Sequence, residues 1–420
     1  MLQKNGEIVI QKFGGTSIGT PKNTKNIIKI LNSQSKKQII VLSAFAKVTD
    51  LLYEITLNIK NKQYKEALKL LSKLYNIHSD WSKELAETQY ILDKLNAQID
   101  QILEQIRTII QGTQIINEIS ENVEKRIIAF GEILSTSLFF ILISDYDKNI
   151  TFLNAVEVVE KKEDNVKINS EIILELLEES DIIITQGFIC LENGKISNLG
   201  RGGSDYTAAL IGAELNAYSI NIWTDVDGIL TASPRIFDDV EWLDFISFNQ
   251  IRSLAKYGAK VVHPDTILPA VKKNIDVRVL NSSNPDFEGT KISNLQQTKK
   301  FSISMIQNVS VIEISGNEDA DYFIKIIKSI KNITENKFVL LEVISNIDNT
   351  LIYYSKDNEK SSKSIICLIN PDLNLIADIL KQQDYIYIAA DKTLKLFIDT
   401  DVSENLLNLI YQKLKTTLKL

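Results

Sequence analysis

The chain has 420 residues, enough for two or three domains with large cores. Its composition is 44% hydrophobic and 24% charged, and its formal net charge of -7 argues against a nucleic-acid partner, which needs clustered lysine and arginine. The two histidines and two cysteines have no metal-ligand spacing, so we expect no protein-ligated metal. With no leader pattern and no apolar run of about 18 residues, we expect a cytoplasmic protein without a membrane partner.

The N-terminal region predicts a phosphate-binding turn. A buried strand from Ile8 to Phe13 is followed by Gly14-Gly15-Thr16-Ser17 and then by a helical stretch. Glycines let backbone amides approach an anion, and a helix N-terminus adds partial positive charge. Lys12 would bring a cation to the end of this strand. The turn is neither a Walker loop nor a dinucleotide fingerprint, because GxxxxGK[ST] and GxGxxG are both absent.

A helical block follows a second strand at Ile39 to Leu42. From about residue 50 to 111, apolar residues recur at i, i+3, i+4 and i+7, as in Leu92, Leu95, Ile99, Ile102, Leu103 and Ile106. His78 and Trp81 lie in this block, and we interpret them as packing residues. A further helix carries Gly131-Glu132, where glycine costs about 1 kcal/mol relative to alanine and so requires a local reason.

Strands and helices then alternate. The predicted elements are a strand at Ile150 to Leu153, a helix at Ile168 to Leu177, and strands at Asp181 to Ile184, Ile220 to Trp223 and Val277 to Leu280. This alternation predicts an open, mostly parallel sheet with helices on both faces and functional loops at the carboxyl ends of its strands.

The glycine-rich segment from Asn198 to Thr207 is a candidate binding loop within this alternation. Arg201 stands among three glycines, with Ser204 and Asp205 directly after them, and an apolar helix begins there. An arginine in such a loop can hold a carboxylate or phosphate through two parallel hydrogen bonds. The segment alone also fits an ordinary loop with a capped helix, so the choice depends on the surrounding sequence.

The order of the predicted strands and helices changes near residue 300. Strand-like and helical runs predict two small βαββ-type units, the first with a helix at Tyr322 to Ile330 and the second with one at Leu373 to Leu380. The sequence of this region contains no strong catalytic constellation. We interpret it as a module for sensing a small ligand or for dimerisation.

Six blocks in order resemble the aspartate kinases of the amino-acid-kinase superfamily. They are Lys12 to Ser17, Phe130 to Glu132, Gly200 to Ala209, Thr224 to Val226 with Gly228, Pro234-Arg235, and Gly258 to Pro264. The resemblance implies a three-layer αβα catalytic domain over residues 1–296, with a helical insert at about 50–145. It also implies a tandem ACT-like regulatory and dimerisation region over residues 297–420, similar in length and rhythm only.

The resemblance implies ATP-dependent phosphorylation of the side-chain carboxylate of L-aspartate, the first step towards lysine, threonine, methionine and diaminopimelate. Mg²⁺ would be carried by the nucleotide, lysine or threonine would act as effector, and the protein would be a homodimer. The implied catalytic residues are Lys12, on the transferring phosphate, and Asp205, which organises its neighbours. The implied substrate-binding residues are Ser43, Thr49, Glu132, Arg201, Gly202, Gly203 and Ser204. The implied nucleotide-binding residues are Lys12, Phe13, Gly14, Gly15, Thr224, Asp225, Leu230, Arg235, Lys260 and Val261.

Departures from the family pattern and two alternatives accompany this hypothesis. Ser233 replaces a usual aspartate, Leu230 an aromatic and Asn198 a threonine, and Asn154 stands where an acid–Ala–Arg motif is common. A kinase for glutamate or acetylglutamate is disfavoured by the Phe-Gly-Glu block and by the long helical insert. A catalytically silent ligand-binding regulator is disfavoured because clustered charges are costly to keep without a use.

Overall fold

A computed structural model describes residues 8–33, 36–144, 149–163, 165–259, 262, 264–294, 298, 300–315, 338–345, 349–356, 363–380, 386–390 and 393–416. The chain forms two compact units. The first comprises Met1–Ile229 and Val262–Leu295, and the second Leu230–Val261 and Gln296–Leu420. The first unit ends at residue 295, whereas the sequence places the domain boundary after residue 296. Residues 230–261, predicted to lie in the catalytic domain, belong to the second unit.

The strands are β1 Ile8–Phe13, β2 Lys37–Leu42, β3 Ile150–Leu153, β4 Val159–Lys162, β5 Asn165–Ile168, β6 Ile182–Gln186, β7 Ile189–Glu192, β8 Lys195–Asn198, β9 Ser219–Thr224, β10 Ile229–Leu230, β11 Trp242–Leu243, β12 Phe245–Ile246, β13 Asp276–Asn281, β14 Thr290–Ile292, β15 Ser302–Ser315, β16 Phe338–Ser345, β17 Asn349–Lys356, β18 Lys363–Ile369, β19 Ile386–Ala390 and β20 Thr393–Asp399. The helices are α1 Gly15–Ile18, α2 Pro21–Ser33, α3 Val48–Lys60, α4 Tyr64–Leu85, α5 Gln89–Ile116, α6 Glu121–Ile143, α7 Ala155–Val158, α8 Ser170–Glu179, α9 Gly203–Glu214, α10 Phe248–Lys256, α11 Pro264–Lys272, α12 Leu373–Leu380 and α13 Thr400–Lys415.

The first unit contains a sheet in the order β14-β13-β9-β1-β2-β6-β3. Its neighbouring strands are parallel except for β13 and β14, which are antiparallel. Phe13, the last residue of β1, lies opposite Leu42 and Trp223, near the ends of β2 and β9. Every residue of β1 is buried, as expected for a strand covered on both faces. The carboxyl ends of the central strands therefore lie along one edge, as the alternating pattern predicts.

Helices α3 to α6 form the predicted helical insert. By length and composition α6 would be able to cross a membrane, but 67% of its most apolar window is buried inside the protein, which is typical of a core helix. A Cβ on its Gly131 would lie only 2.8 Å from Cβ of Ala44 and 3.2 Å from Cδ1 of Leu52. The close approach of α6 to the loop after β2 is thus the local reason for this glycine.

A small sheet in the order β5-β4-β7-β8 was not anticipated, because its strands are four residues long and rich in charge. Glu192 of β7 accepts a hydrogen bond from Ser197 at 2.6 Å and pairs with Lys161 at 3.0 Å and with Lys125 of α6 at 3.2 Å. The hydrogen bonds from Ser197 and the two lysines lower the pKa of Glu192 to about 2. These contacts connect the small sheet to the helical insert.

The second unit contains one antiparallel sheet in the order β16-β17-β15-β18-β20-β19. The two predicted βαββ-type units share it, because the long strand β15 pairs with β17 on one side and with β18 on the other. The predicted helix at Tyr322 to Ile330 lies outside the described residues. Phe237, from segment 230–261, stacks on Tyr411 of α13 with ring centroids 3.8 Å apart, and this contact places the segment in the second unit.

Candidate active site

The first glycine turn lies directly against the loop that follows β2. A Cβ on Gly15 would come within 2.6 Å of the Ala44 carbonyl oxygen, so no larger residue fits there without movement. The carbonyl of Gly15 also accepts the Ala46 N–H at 3.1 Å. The sequence pattern therefore produces a tight turn, α1, whose position is fixed relative to the neighbouring loop.

Lys12 and Asp205 form an ion pair between β1 and the first turn of α9. Lys12 Nζ lies 2.7 Å from Asp205 Oδ1, and the two side chains are only 11% and 15% exposed. Lys12 Nζ also lies 3.7 Å from the place that a Cβ on Gly14 would take. The structure thus brings together the two residues predicted to be catalytic, with the cation above the glycine turn.

The loop that carries Arg201 depends on glycine for its conformation. Gly200 and Gly202 have φ angles of 75° and 72°, a region that glycine adopts readily. A Cβ on Gly203 would lie 2.7 Å from Cδ2 of Phe188, so the start of α9 packs closely on the preceding chain. Arg201 is exposed at the tip of the loop and has no hydrogen-bond or ion-pair partner among the described residues. Its guanidinium is available to a ligand.

Glu132 is a buried acid beside the loop after β2. It is 4% exposed, and its Oε1 accepts the Ala44 N–H at 3.1 Å. Its Oε2 has no hydrogen-bond partner within the described part of the chain. Burial raises the pKa of Glu132 to about 8, against the opposing effects of the Ala44 N–H and of the charge on Lys12. At neutral pH this carboxyl is therefore mainly protonated, and a cation bound beside it would favour its ionisation.

Ser43 and Thr49 flank the same loop and are partly exposed. The backbone of Ser43 is fixed, since its N–H donates to the Phe13 carbonyl at 3.2 Å and its carbonyl accepts from Ser135 Oγ at 2.7 Å. Thr49 lies in the first turn of α3. The prediction places both near the acceptor carboxylate, and the fold brings them to the edge where β1 and β2 end.

The predicted nucleotide residues are divided between the two units. Thr224 is the last residue of β9 and Asp225 follows it, both in the first unit, with Thr224 Oγ1 3.1 Å from Asp225 Oδ1. Leu230 and Arg235 belong to the second unit, and Arg235 is exposed in a turn where its N–H donates to Ser233 Oγ at 3.4 Å. Lys260 and Val261 lie outside the described residues, as does His263 of the neighbouring block.

The amides of two predicted binding glycines donate to carbonyls of the protein backbone. The Gly14 N–H donates to the Trp223 carbonyl at 3.1 Å, and the Gly203 N–H donates to the Gly200 carbonyl at 2.9 Å. Both donors are used by the fold itself. The roles of Gly14 in binding nucleotide and of Gly203 in binding substrate stay predictions, because the sequence shows where a glycine lies but not which carbonyl takes its amide.

Sequence reasoning missed the support that α4 gives to these loops. Trp81 Nε1 donates to the Ile18 carbonyl at 2.9 Å, at the end of α1, and Phe45 packs between Trp81 and His78 with ring centroids 5.2 and 4.8 Å away. Burial lowers the pKa of His78 to about 4, so this histidine is neutral at pH 7. Packing was the predicted role of both residues, and the added feature is the indole hydrogen bond to the turn. The sequence around Trp81, which lies between Asp80 and Ser82, gives no sign of such a bond.

These features define an α/β protein with a candidate anion-binding site at the carboxyl edge of a parallel sheet. A model of the Amino acid kinase family matches residues 7–281, which is more than half of the chain. The chain therefore belongs to the amino acid kinase family.

The curated relatives include two bacterial aspartokinases. The chain is 33% identical over 298 residues to lysine-sensitive aspartokinase 3 of Escherichia coli, an alignment that covers 69% of this chain and 64% of that protein. It is 32% identical over 300 residues to the aspartokinase of Chlamydia trachomatis, covering 70% of this chain and 66% of that one. The chain thus spans slightly less than two thirds of the length of these relatives.

Solved structures establish the fold over nearly the whole chain. E. coli aspartokinase III in complex with aspartate and ADP has a TM-score of 0.77 at 24% identity, covering 97% of this chain and 99% of that one. Aspartate kinase of Clostridium acetobutylicum has a TM-score of 0.70 at 21% identity, covering 98% and 100%. The predicted fold class, a three-layer αβα sheet followed by two small ACT-like units, is confirmed.

Proposed function

We propose that this protein phosphorylates the side-chain carboxylate of L-aspartate with MgATP, giving 4-phospho-L-aspartate and ADP. The observation that carries the proposal is the set of Lys12, Asp205 and the buried Glu132 at one edge of an amino-acid-kinase sheet. The family's aspartokinases among the relatives support aspartate over glutamate or acetylglutamate as acceptor. The product would be the first intermediate towards lysine, threonine, methionine and diaminopimelate.

The reaction needs charge stabilisation more than a protein nucleophile. A carboxylate oxygen of aspartate forms the new bond to the γ-phosphorus, the bond from that phosphorus to the β–γ bridging oxygen breaks, and ADP leaves with the electron pair. Two anions must approach each other, so positive charge is required where they meet. Lys12 supplies this charge, and Asp205 holds its ammonium in place from 2.7 Å.

The acceptor is held by its three charged groups. Arg201, exposed and without a partner among the described residues, binds the α-carboxylate as a planar fork. Glu132 receives the ammonium and loses its own proton on binding, because a cation beside it favours ionisation of a carboxyl whose pKa burial raises to about 8. Ser43 and Thr49 orient the β-carboxylate towards the phosphate.

The nucleotide contacts Thr224 and Asp225 at the end of β9. For Leu230, Arg235, Lys260 and Val261, a contact with the nucleotide stays a prediction from the family resemblance. Mg²⁺ carried on the triphosphate would neutralise charge on the phosphate oxygens. The described residues contain no group of three or more His, Cys, Asp or Glu side chains arranged for a metal.

We also propose an amino-acid effector, lysine or threonine, a homodimer and a cytoplasmic location. The solved structures of E. coli aspartokinase III include a complex with lysine and aspartate, with a TM-score of 0.73 to this chain at 24% identity. The six-stranded sheet of the second unit is the region that would bind the effector and the second copy. Light scattering measures the assembly directly.

One assay tests the function and its alternatives. The purified protein is incubated with MgATP and L-aspartate, L-glutamate or N-acetyl-L-glutamate, ADP release is followed, and the acyl phosphate is trapped as its hydroxamate. We expect product with aspartate only, and lower rates with lysine or threonine. Product with another acid would reassign the acceptor, and ATP binding without any turnover would support the silent regulator.

A further inference from the structure

Ser282 lies at the start of the loop that follows β13, at the same edge of the first unit's sheet. It is fully buried, and each of its polar groups is used. Its N–H donates to the Thr224 carbonyl at 2.9 Å, and its carbonyl accepts from Asn26 Nδ2 at 2.9 Å. Its Oγ lies 2.8 Å from Ser17 Oγ and 3.0 Å from the Thr224 carbonyl oxygen. One residue therefore connects β9, α1 and α2.

Ser17 continues this connection into the glycine turn. It is also fully buried, and its Oγ lies 3.3 Å from the Trp223 carbonyl, which accepts the Gly14 N–H as well. A hydroxyl has one proton to donate. If Ser282 donates to Ser17 and Ser17 donates to Trp223, both protons are used in one chain of hydrogen bonds. The turn is then attached to the end of β9 at both of its ends.

We propose that Ser282 is a positioning residue for phosphoryl transfer, which it serves by holding the Gly14–Ser17 turn, through Ser17, against Thr224. The inference rests on the proposed function, because the turn is predicted to bind the phosphates of the nucleotide and Thr224 is predicted to face it. Transfer requires the reacting groups in a near-attack geometry, and a displacement of about 1 Å costs on the order of a hundredfold in rate. A neutral hydrogen bond contributes only about 1 kcal/mol to stability, so its loss leaves the fold intact while the turn gains freedom.

The neighbouring residue provides a matched control. Ser283 Oγ donates to Asn23 Oδ1 in α2 at 2.9 Å and makes no hydrogen bond to Ser17; it is linked to the turn only indirectly, because Asn23 Nδ2 donates to the Thr16 carbonyl at 3.3 Å, a bond that Ser283→Ala leaves in place. Ser283→Ala removes the same group from the same loop. A difference between the two alanine variants therefore reports the connection to Ser17 and not the general effect of deleting a hydroxyl.

The test is a double-mutant cycle with Ser17→Ala, Ser282→Ala and the double variant, alongside Ser283→Ala. We expect Ser282→Ala to lower kcat about tenfold or more, with the aspartate KM changed less than about twofold and Tm nearly unchanged, while Ser283→Ala keeps the parent's kcat. The double variant should have a kcat no lower than that of Ser17→Ala alone, because both substitutions break the same hydrogen-bonded connection. The proposal would be overturned if Ser282→Ala kept the kcat of the parent, or if the losses of kcat in the two single variants added up in the double variant. An equal loss of kcat in Ser283→Ala would also overturn it.

Calorimetric titration with ATP, without any acceptor, separates this inference from the proposed function. If no acid supports turnover but the parent binds ATP, the proposed reaction is wrong. The double-mutant cycle is then measured with the Kd for ATP of each variant in place of kcat. We then expect a non-additive weakening of several-fold for the Ser17 and Ser282 variants and none for Ser283→Ala. Unchanged ATP affinity in that case, or no ATP binding by the parent, overturns the role of Ser282.

Discussion

Replacing Glu132 by glutamine should change how the stability of the first unit depends on pH. Below about pH 4.5 the carboxyl is protonated in both the folded and unfolded chains. As the pH rises towards 8, the unfolded chain ionises while the buried group does not, so the free energy of unfolding falls; above the folded pKa of about 8 the loss is complete. This shift corresponds to about 5 kcal/mol in total, or about 1.4 kcal/mol per pH unit. Glutamine keeps an acceptor for the Ala44 N–H and has no proton to lose.

The measurement is denaturant unfolding at pH 5, 6, 7 and 8, followed by tryptophan fluorescence. In a Trp242→Phe background the remaining tryptophans, Trp81 and Trp223, both lie in the first unit, so the signal reports that unit alone. We expect Glu132→Gln to gain stability relative to the parent as the pH rises. Glu118→Gln, at an exposed acid just before α6, should follow the parent at every pH.

Parallel stability curves for Glu132→Gln and the parent would refute the reasoning, because the carboxyl would then not be neutral in the folded state. The titration of other groups does not interfere, since it is shared by both proteins and cancels in the difference. The same variant should raise the aspartate KM, because its amide cannot neutralise the substrate ammonium. In the parent, that KM should fall as the pH rises towards 8, as Glu132 loses its proton.

Three further outcomes follow from the site and its surroundings. Lys12→Ala should lower kcat by about 10²–10³, as for one electrostatic stabiliser, and full turnover would exclude that role. Arg201→Lys should mainly raise the aspartate KM, because a point charge does not reproduce a fork; unchanged saturation would mean that another residue binds the α-carboxylate. Burial lowers the pKa of His78 to about 4, so this histidine gains a proton in the unfolded chain before it does in the folded one. The free energy of unfolding should therefore fall by up to about 3 kcal/mol as the pH falls from 6.5 to 4, and His78→Gln should remove that dependence in unfolding experiments.

The parallel strands of the first unit's sheet were predictable because each is a short, largely apolar run followed by glycine or a polar residue, whereas the three-residue strand β14 was not predicted. β1 has the predicted bounds, and β9 and β13 are each one residue longer at both ends. The small sheet β5-β4-β7-β8 was missed because its residues are mainly polar and its stability comes from partners such as Lys125, which lies 67 positions from Glu192. Local periodicity contains no information about such contacts.

The site was predictable as a set of residue types but not in its electrostatics. The Lys12–Asp205 pair joins the two loops that the motifs identify. The raised pKa of Glu132 depends on burial under the loop that carries Ala44, 88 positions away, and no spacing rule predicts it. The roles of Ser43, Thr49 and Arg201 in binding substrate stay predictions until the variants are measured.

The path of the chain through the two units has a consequence for dissecting the protein. The chain passes from one unit to the other after Ile229, after Val261 and again after Leu295, so neither unit is a continuous stretch of sequence. A truncation at residue 295 would remove Tyr411 and leave Phe237 without its stacking partner. The second unit is thus compact in space but is not one continuous segment of the sequence. Swapping it between relatives requires exchanging residues 230–261 together with 296–420.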